Sequence, residues 1–164
     1  MNHILIGNIL SFIATIFLFR AVSKRENKAL IKLQGQSHLF FAFAGIILKG
    51  YSGAVQDGVG CLRNLMIYFD ICCSHIKYAL LAVSLFGGLL LNNIGAIGLL
   101  PILGTMQYTF ISTMPKISNA QLQLSIILNA LLMAIYSLAI SNYVNICTNM
   151  IVICLSLSMI RTDK

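Results

Sequence analysis

Acidic residues are scarce in this sequence: Glu26, Asp57, Asp70 and Asp163 are the four among 164, tryptophan is absent, and charges of both signs make up 9%. Each shortage excludes something. So few carboxylates offer no pair for acid and base work, no nucleophile has a recognisable base, and no cluster has metal-ligand spacing, so neither an enzyme nor a cofactor nor a metal is expected. His3, His38 and His75 are scattered, and the five cysteines follow no zinc pattern. Without tryptophan the usual aromatic belt at a membrane surface is thin. The low charge decides most, because 59% hydrophobic residues and a mean hydropathy of +0.90 leave too little polar surface to cover a soluble globule.

What the chain has in abundance is apolar runs. A spanning helix needs roughly 17 to 25 apolar residues, so a chain of this length crosses about six or seven times with minimal loops. The runs are Ile4 to Phe19, Leu33 to Leu48, Ala54 to Phe69, Tyr78 to Leu91, Ile94 to Ser112, Gln121 to Ile140 and Val144 to Ile160. They are continuously apolar, without the alternation of a barrel strand, which predicts an all-α, polytopic membrane helix bundle filling residues 1–164 as one domain. Seven spans is the reading; six, with a half-buried fourth segment, is the alternative.

The positive-inside rule supports seven. The first connection holds Arg20, Lys24, Arg25, Lys28 and Lys32, and placing it inside also puts Lys77, Lys116, Arg161 and Lys164 inside, leaving only Lys49 outside. The amino terminus is expected outside and the carboxyl terminus in the cytoplasm. The first segment has its charges after the apolar stretch, so it reads as a retained helix and not a cleavable signal. The net charge is +7, and five of the eleven basic residues crowd into the 20–32 loop, where anionic lipid head groups are the expected partner and nucleic acid is not. Cys61, Cys147 and Cys154 are expected to pack helices together, with Cys147 and Cys154 on one face, and Cys72 and Cys73 to be reduced at the cytoplasmic end of the third span.

Internal repetition follows an offset of 91 residues: Gly7 meets Gly98, Ala29 meets Ala120, and His38 meets Asn129. The layout is three spans, one extra span, three spans, with a first repeat over 4–70, a linker helix over 76–92 and a second repeat over 94–161. An odd fourth helix lets the two triplets run parallel about an axis along the membrane normal, as in some transporters.

The stretches "GAVQDGVGCLRNLMIY" (53–68) and "LLPILGT" (99–105) and the closing span ending in Arg161 resemble the YgjV-like family of bacterial inner-membrane proteins over nearly the whole chain. The most specific parts are Gly53 with Arg63 and Asn64, and the group Leu100, Pro101, Gly104 and Thr105. The sequence departs in carrying Asp57 and in lacking tryptophan. The resemblance implies a bacterial inner membrane and names no reaction. The three-one-three plan is similar, by analogy of fold only, to the SWEET and PQ-loop transporters of small solutes.

Polar side chains inside spans are where a mechanism would have to reside, since an ionisable group at membrane depth costs roughly 2.5 to 3.5 kcal/mol on insertion scales. Residues seven apart share a helix face, so Asp57 aligns with Asn64 and Gln56 with Arg63. Asp57, His38, Asn129, Asn145 and Asn149 are the expected lining of a small-solute site, with amides binding solute and Asp57 or His38 exchanging a proton. Arg63 and Asn64 are expected in structural or gating roles, with Arg63 snorkelling toward the cytoplasm. Pro101, flanked by Gly98 and Gly104, is expected to kink the fifth span. Two functions stay open: a transporter or facilitator of a small polar solute, or a non-transporting inner-membrane partner or assembly protein whose polar groups only bond helix to helix. A homo-oligomer is also allowed.

Overall fold

A computed structural model of the chain describes residues 2–22, 27–71, 74–112, 114 and 117–162. The expectations that fall on Lys24, Arg25, Glu26, Cys72, Cys73, Lys116, Asp163 and Lys164 lie outside the described residues.

Every regular element among the described residues is helical, as continuous apolar runs require where backbone groups must satisfy one another. Helix α1 is Asn2–Val22, α2 is Asn27–Ile47 and α3 is Tyr51–Tyr68. Helix α4 is continuous over 74–90, winding as α over Ser74–Ala82, as a π turn over Val83–Gly87 and as α again over Gly88–Leu90. Helix α5 opens with a 3-10 turn, Gly95–Gly98, and continues as Leu99–Ser112; α6 is Asn119–Ala139 and α7 is Tyr143–Thr162. Helix α2 starts earlier than its apolar run because Lys28 and Lys32 carry the helix out toward the polar layer.

Among the described residues, four stretches are long and apolar enough to cross a membrane: Asn2–Ala21, Gly95–Ser112, Asn119–Ala139 and Tyr143–Arg161. Helices α2 and α3 are of similar length but interrupt their apolar character with Gln34, Gln36 and His38 and with Gln56, Asp57, Arg63 and Asn64. The apolar part of α4, His75–Leu90, is shorter.

Neighbours in sequence are neighbours in space. Helix α2 packs between α1 and α3, and α6 packs between α5 and α7; α1 touches α7, α3 touches α5, and α4 lies on α3 and α5. Glycine makes the last of these possible: a Cβ on Gly88 would come within 2.7 Å of Ile102 Cγ1, so a side chain there would push α4 off α5.

The two tight turns are closed alike. At the first, the amides of Leu48, Lys49 and Gly50 donate to the carbonyls of Ala44, Ile46 and Gly45, and Ala54 donates back to Gly50. At the second, Ile140, Ser141 and Asn142 donate to Tyr136, Leu138 and Ser137, and Ile146 donates back to Asn142. Every donor and acceptor of the second lies 92 positions after its counterpart, and the left-handed residues Lys49 (φ 60°) and Ser141 (φ 57°) keep the same interval. Around the turns Leu48, Tyr136 and Ile140 form an apolar cluster joined by Ile4, Ile94 and Leu100.

Pro101 is the third residue of the α-helical part of α5, directly after the 3-10 turn Gly95–Gly98. The entrance to α6 is closed by a capping box: Ser118 Oγ accepts from the Gln121 amide at 3.2 Å, and Gln121 Oε1 accepts from the Ser118 amide at 3.1 Å.

Candidate functional site

Helix α3 carries its polar residues on two faces, as their seven-residue spacing requires, and the packing gives each face a different partner. Asp57 and Asn64 turn toward α2. His38 Nδ1 lies 3.0 Å from Asp57 Oδ1, with the aspartate side chain 12% exposed and the imidazole about one-third exposed. Gly60, one turn beyond Asp57, makes room for the ring: a Cβ there would stand 3.0 Å from the imidazole atoms. One further turn along, Asn64 lies against Gly35, whose added Cβ would sit 3.6 Å from that of Asn64.

Gln56 and Arg63 turn the other way, to α4 and α5. Gln56 Nε2 donates to the Ser84 carbonyl at 2.9 Å, and Ser84 Oγ donates to Gln56 Oε1. Ser84 belongs to the π turn, whose shifted winding frees carbonyls from the α ladder. Arg63 Nη1 donates to Thr109 Oγ1 at 3.1 Å, and its guanidinium carbon lies 4.8 Å from the centre of the Tyr108 ring. With 6% of the residue exposed, Arg63 does not snorkel to a surface; a hydroxyl and an aromatic face of α5 hold it inside the bundle.

In the later helices the candidates fall into two further groups. Asn129 of α6 faces Gly104 of α5, where an added Cβ would come within 2.6 Å of Asn129 Oδ1. That oxygen is buried and has no hydrogen-bond partner among the described residues. Nearby Gln107 and Ser125 bond α5 to α6: the Gln107 amide donates to the Ser125 carbonyl at 2.9 Å and Ser125 Oγ donates to Gln107 Oε1 at 3.0 Å. Asn145 Nδ2 donates to Ser137 Oγ at 2.8 Å, and Asn149 Nδ2 reaches the Asn145 carbonyl at 2.8 Å and its Oδ1 at 3.1 Å. The structure thus brings together His38 with Asp57, Gly104 with Asn129, and Asn145 with Asn149.

Two residues that join helices distant in sequence, Thr15 and Tyr136, were not among the sequence candidates. The hydroxyls of Thr15 on α1 and Thr148 on α7 are 2.7 Å apart. Tyr136 on α6, 2% exposed, accepts from the Gly53 amide at 3.1 Å and lies 3.4 Å from Ser52 Oγ. The run of small residues Gly50, Ser52 and Gly53 at the start of α3 is the signal that could have announced a bulky partner, since an added Cβ at either glycine would strike the tyrosine. The cysteines go the other way: Cys147 and Cys154 share a face of α7, as their spacing implies, but that face is exposed and packs no helix.

The family model for Imp-YgjV, described as a bacterial inner membrane protein, matches residues 5–164. The chain belongs to this family. No curated protein and no solved structure matches it. Membership makes the chain a multi-pass protein of a bacterial inner membrane, and its several apolar helices agree. Helices α2 and α3 pack on each other within this membrane protein. In such surroundings a carboxylate and an imidazole persist only as partners or beside water.

Proposed function

We propose that this Imp-YgjV protein is a facilitator or proton-coupled carrier of a small polar solute, with two three-helix halves, α1 to α3 and α5 to α7, joined by α4. The observation that carries the reading is the Asp57–His38 pair, 3.0 Å apart between two helices of a membrane protein, because ionisable groups at membrane depth mark ion and proton routes. Buried polar atoms without partners among the described residues support it: Ser11 Oγ and Asn129 Oδ1 are free to bond a solute.

Support for the three-one-three plan comes from packing and register. Exchanging the halves turns the α1 contact with α7 into the α5 contact with α3, as a two-fold axis requires. An interval of 92 pairs Tyr51 with Tyr143 and Asn27 with Asn119, and it sets Asp57 opposite Asn149. Seven alternating spans then place the amino terminus outside and the carboxyl terminus in the cytoplasm, and the Leu48, Tyr136 and Ile140 cluster on the outer side.

The test is electrical. Reconstituted into liposomes on a solid support and given a panel of sugars and amino acids under a pH gradient, the wild type should give solute-dependent currents that Asp57→Asn abolishes. Currents unchanged in that variant would overturn the coupled version, and neither current nor uptake of any radiolabelled solute would overturn transport.

A second reading, a non-transporting membrane partner, is favoured by one observation: Gln56 with Ser84, Thr15 with Thr148, Gln107 with Ser125 and Asn145 with Ser137 bond helix to helix within the protein. It calls for a dry core and no currents.

A further inference from the structure

The outer faces of α2 and α3 leave a groove of about 480 Å³, and its lining changes character along its length. At one end stand Lys32 of α2 and Phe69 of α3; below them come Gly35 with Asn64 and Leu65, and at depth Leu39 and Cys61. Lys32 to Leu39 spans seven residues, about 10 Å along the helix. That is about a third of a hydrocarbon core of roughly 30 Å, so the groove runs from the membrane surface into one leaflet.

Three features give the groove a preferred occupant. Leu39, Leu65 and Phe69 are 45%, 44% and 63% exposed, so an apolar chain can lie along them. Asn64 lines the groove, is 5% exposed, and its Nδ2, a donor, has no partner among the described residues. At the mouth the charge is positive. Lys28 is engaged by Asp70 at 3.1 Å, which leaves exposed Lys32 as the cation of the lining. Basic pockets between spanning helices near a membrane face suit anionic head groups.

We propose that this groove binds one phospholipid with an anionic head group: phosphate on Lys32, a glycerol-ester carbonyl on the Asn64 amide, and an acyl chain along Leu39 and Leu65. The site is independent of any transport role. A second groove of about 420 Å³, between α5 and α6, supplies the contrast. Among the described residues its lining includes Gln107, Leu124 and Ser125 and no lysine or arginine, which makes it the less basic of the two.

Native mass spectrometry of the detergent-solubilised protein, offered equimolar phosphatidylglycerol and phosphatidylethanolamine, tests the site. Phosphatidylglycerol should be retained at least about tenfold over phosphatidylethanolamine. Lys32→Glu should remove the preference and Leu39→Trp, which fills the groove, the retained lipid; Leu124→Trp in the second groove should change neither. All three replace exposed residues, so the fold is kept, and circular dichroism checks it. Equal retention of the two lipids by the wild type overturns the proposal without any variant. Retention undiminished by Lys32→Glu and Leu39→Trp also overturns it.

Discussion

At the scale of single residues, the Asp57–His38 pair and Tyr136 make the sharpest claims. Truncating one member of a buried polar pair leaves the other without its partner, which costs about 1–3 kcal/mol. Asp57→Ala should therefore lower the unfolding midpoint in detergent clearly, whereas Asp57→Asn, which keeps a hydrogen-bonding side chain against His38, should lower it less. Equal losses would mean that the contact with His38 contributes nothing. Tyr136→Phe keeps the ring against Gly53 and removes only the hydroxyl that accepts from the Gly53 amide, so a loss of about 1 kcal/mol is expected in the same assay. Asp57 could be picked out from the sequence as an ionisable residue in a span. Its partner could not, since nothing local to α3 says which of six other helices will lie beside it.

At the scale of helices, α3 shows what periodicity reveals. Its two stripes, Asp57 with Asn64 and Gln56 with Arg63, follow from helical geometry and stand in the structure as read. Their destinations, α2 for one and α4 with α5 for the other, depend on packing. Glycines on the same helix separate contact from mere presence. Gly60→Val should destabilise the protein by about 1–3 kcal/mol because the His38 ring must move. Gly58 has nothing within 4 Å of an added Cβ, so Gly58→Ala should stabilise it by about 0.5–1 kcal/mol through helix propensity alone. Thermal unfolding of both variants measures the contrast, and losses of the same size at both positions would refute the packing of α2 on α3.

At the scale of the whole molecule, the closure of the bundle can be tested across its halves. Thr15→Cys with Thr148→Cys, in a background cleared of other cysteines, should form a disulfide readily on oxidation because the two hydroxyls are 2.7 Å apart. Failure to cross-link would separate α1 from α7. Reporter fusions should place the two termini on opposite sides of the membrane, and finding them on one side would refute seven spans and the parallel halves with them. By itself the sequence determined that the chain is a membrane protein, that its elements are helices, roughly where they begin and end, and which polar residues share a face. Those properties follow from hydrocarbon acting as the solvent and from the 3.6-residue turn, both of which act locally along the chain. Only the tertiary structure decided that Arg63 is held inside on Thr109 and Tyr108, that His38 lies against Asp57, and that Lys49 and Ser141 close their turns in the left-handed region. Each of these is set by which helix lies against which, or by where a backbone hydrogen bond closes, and runs of interchangeable apolar side chains carry no local record of either.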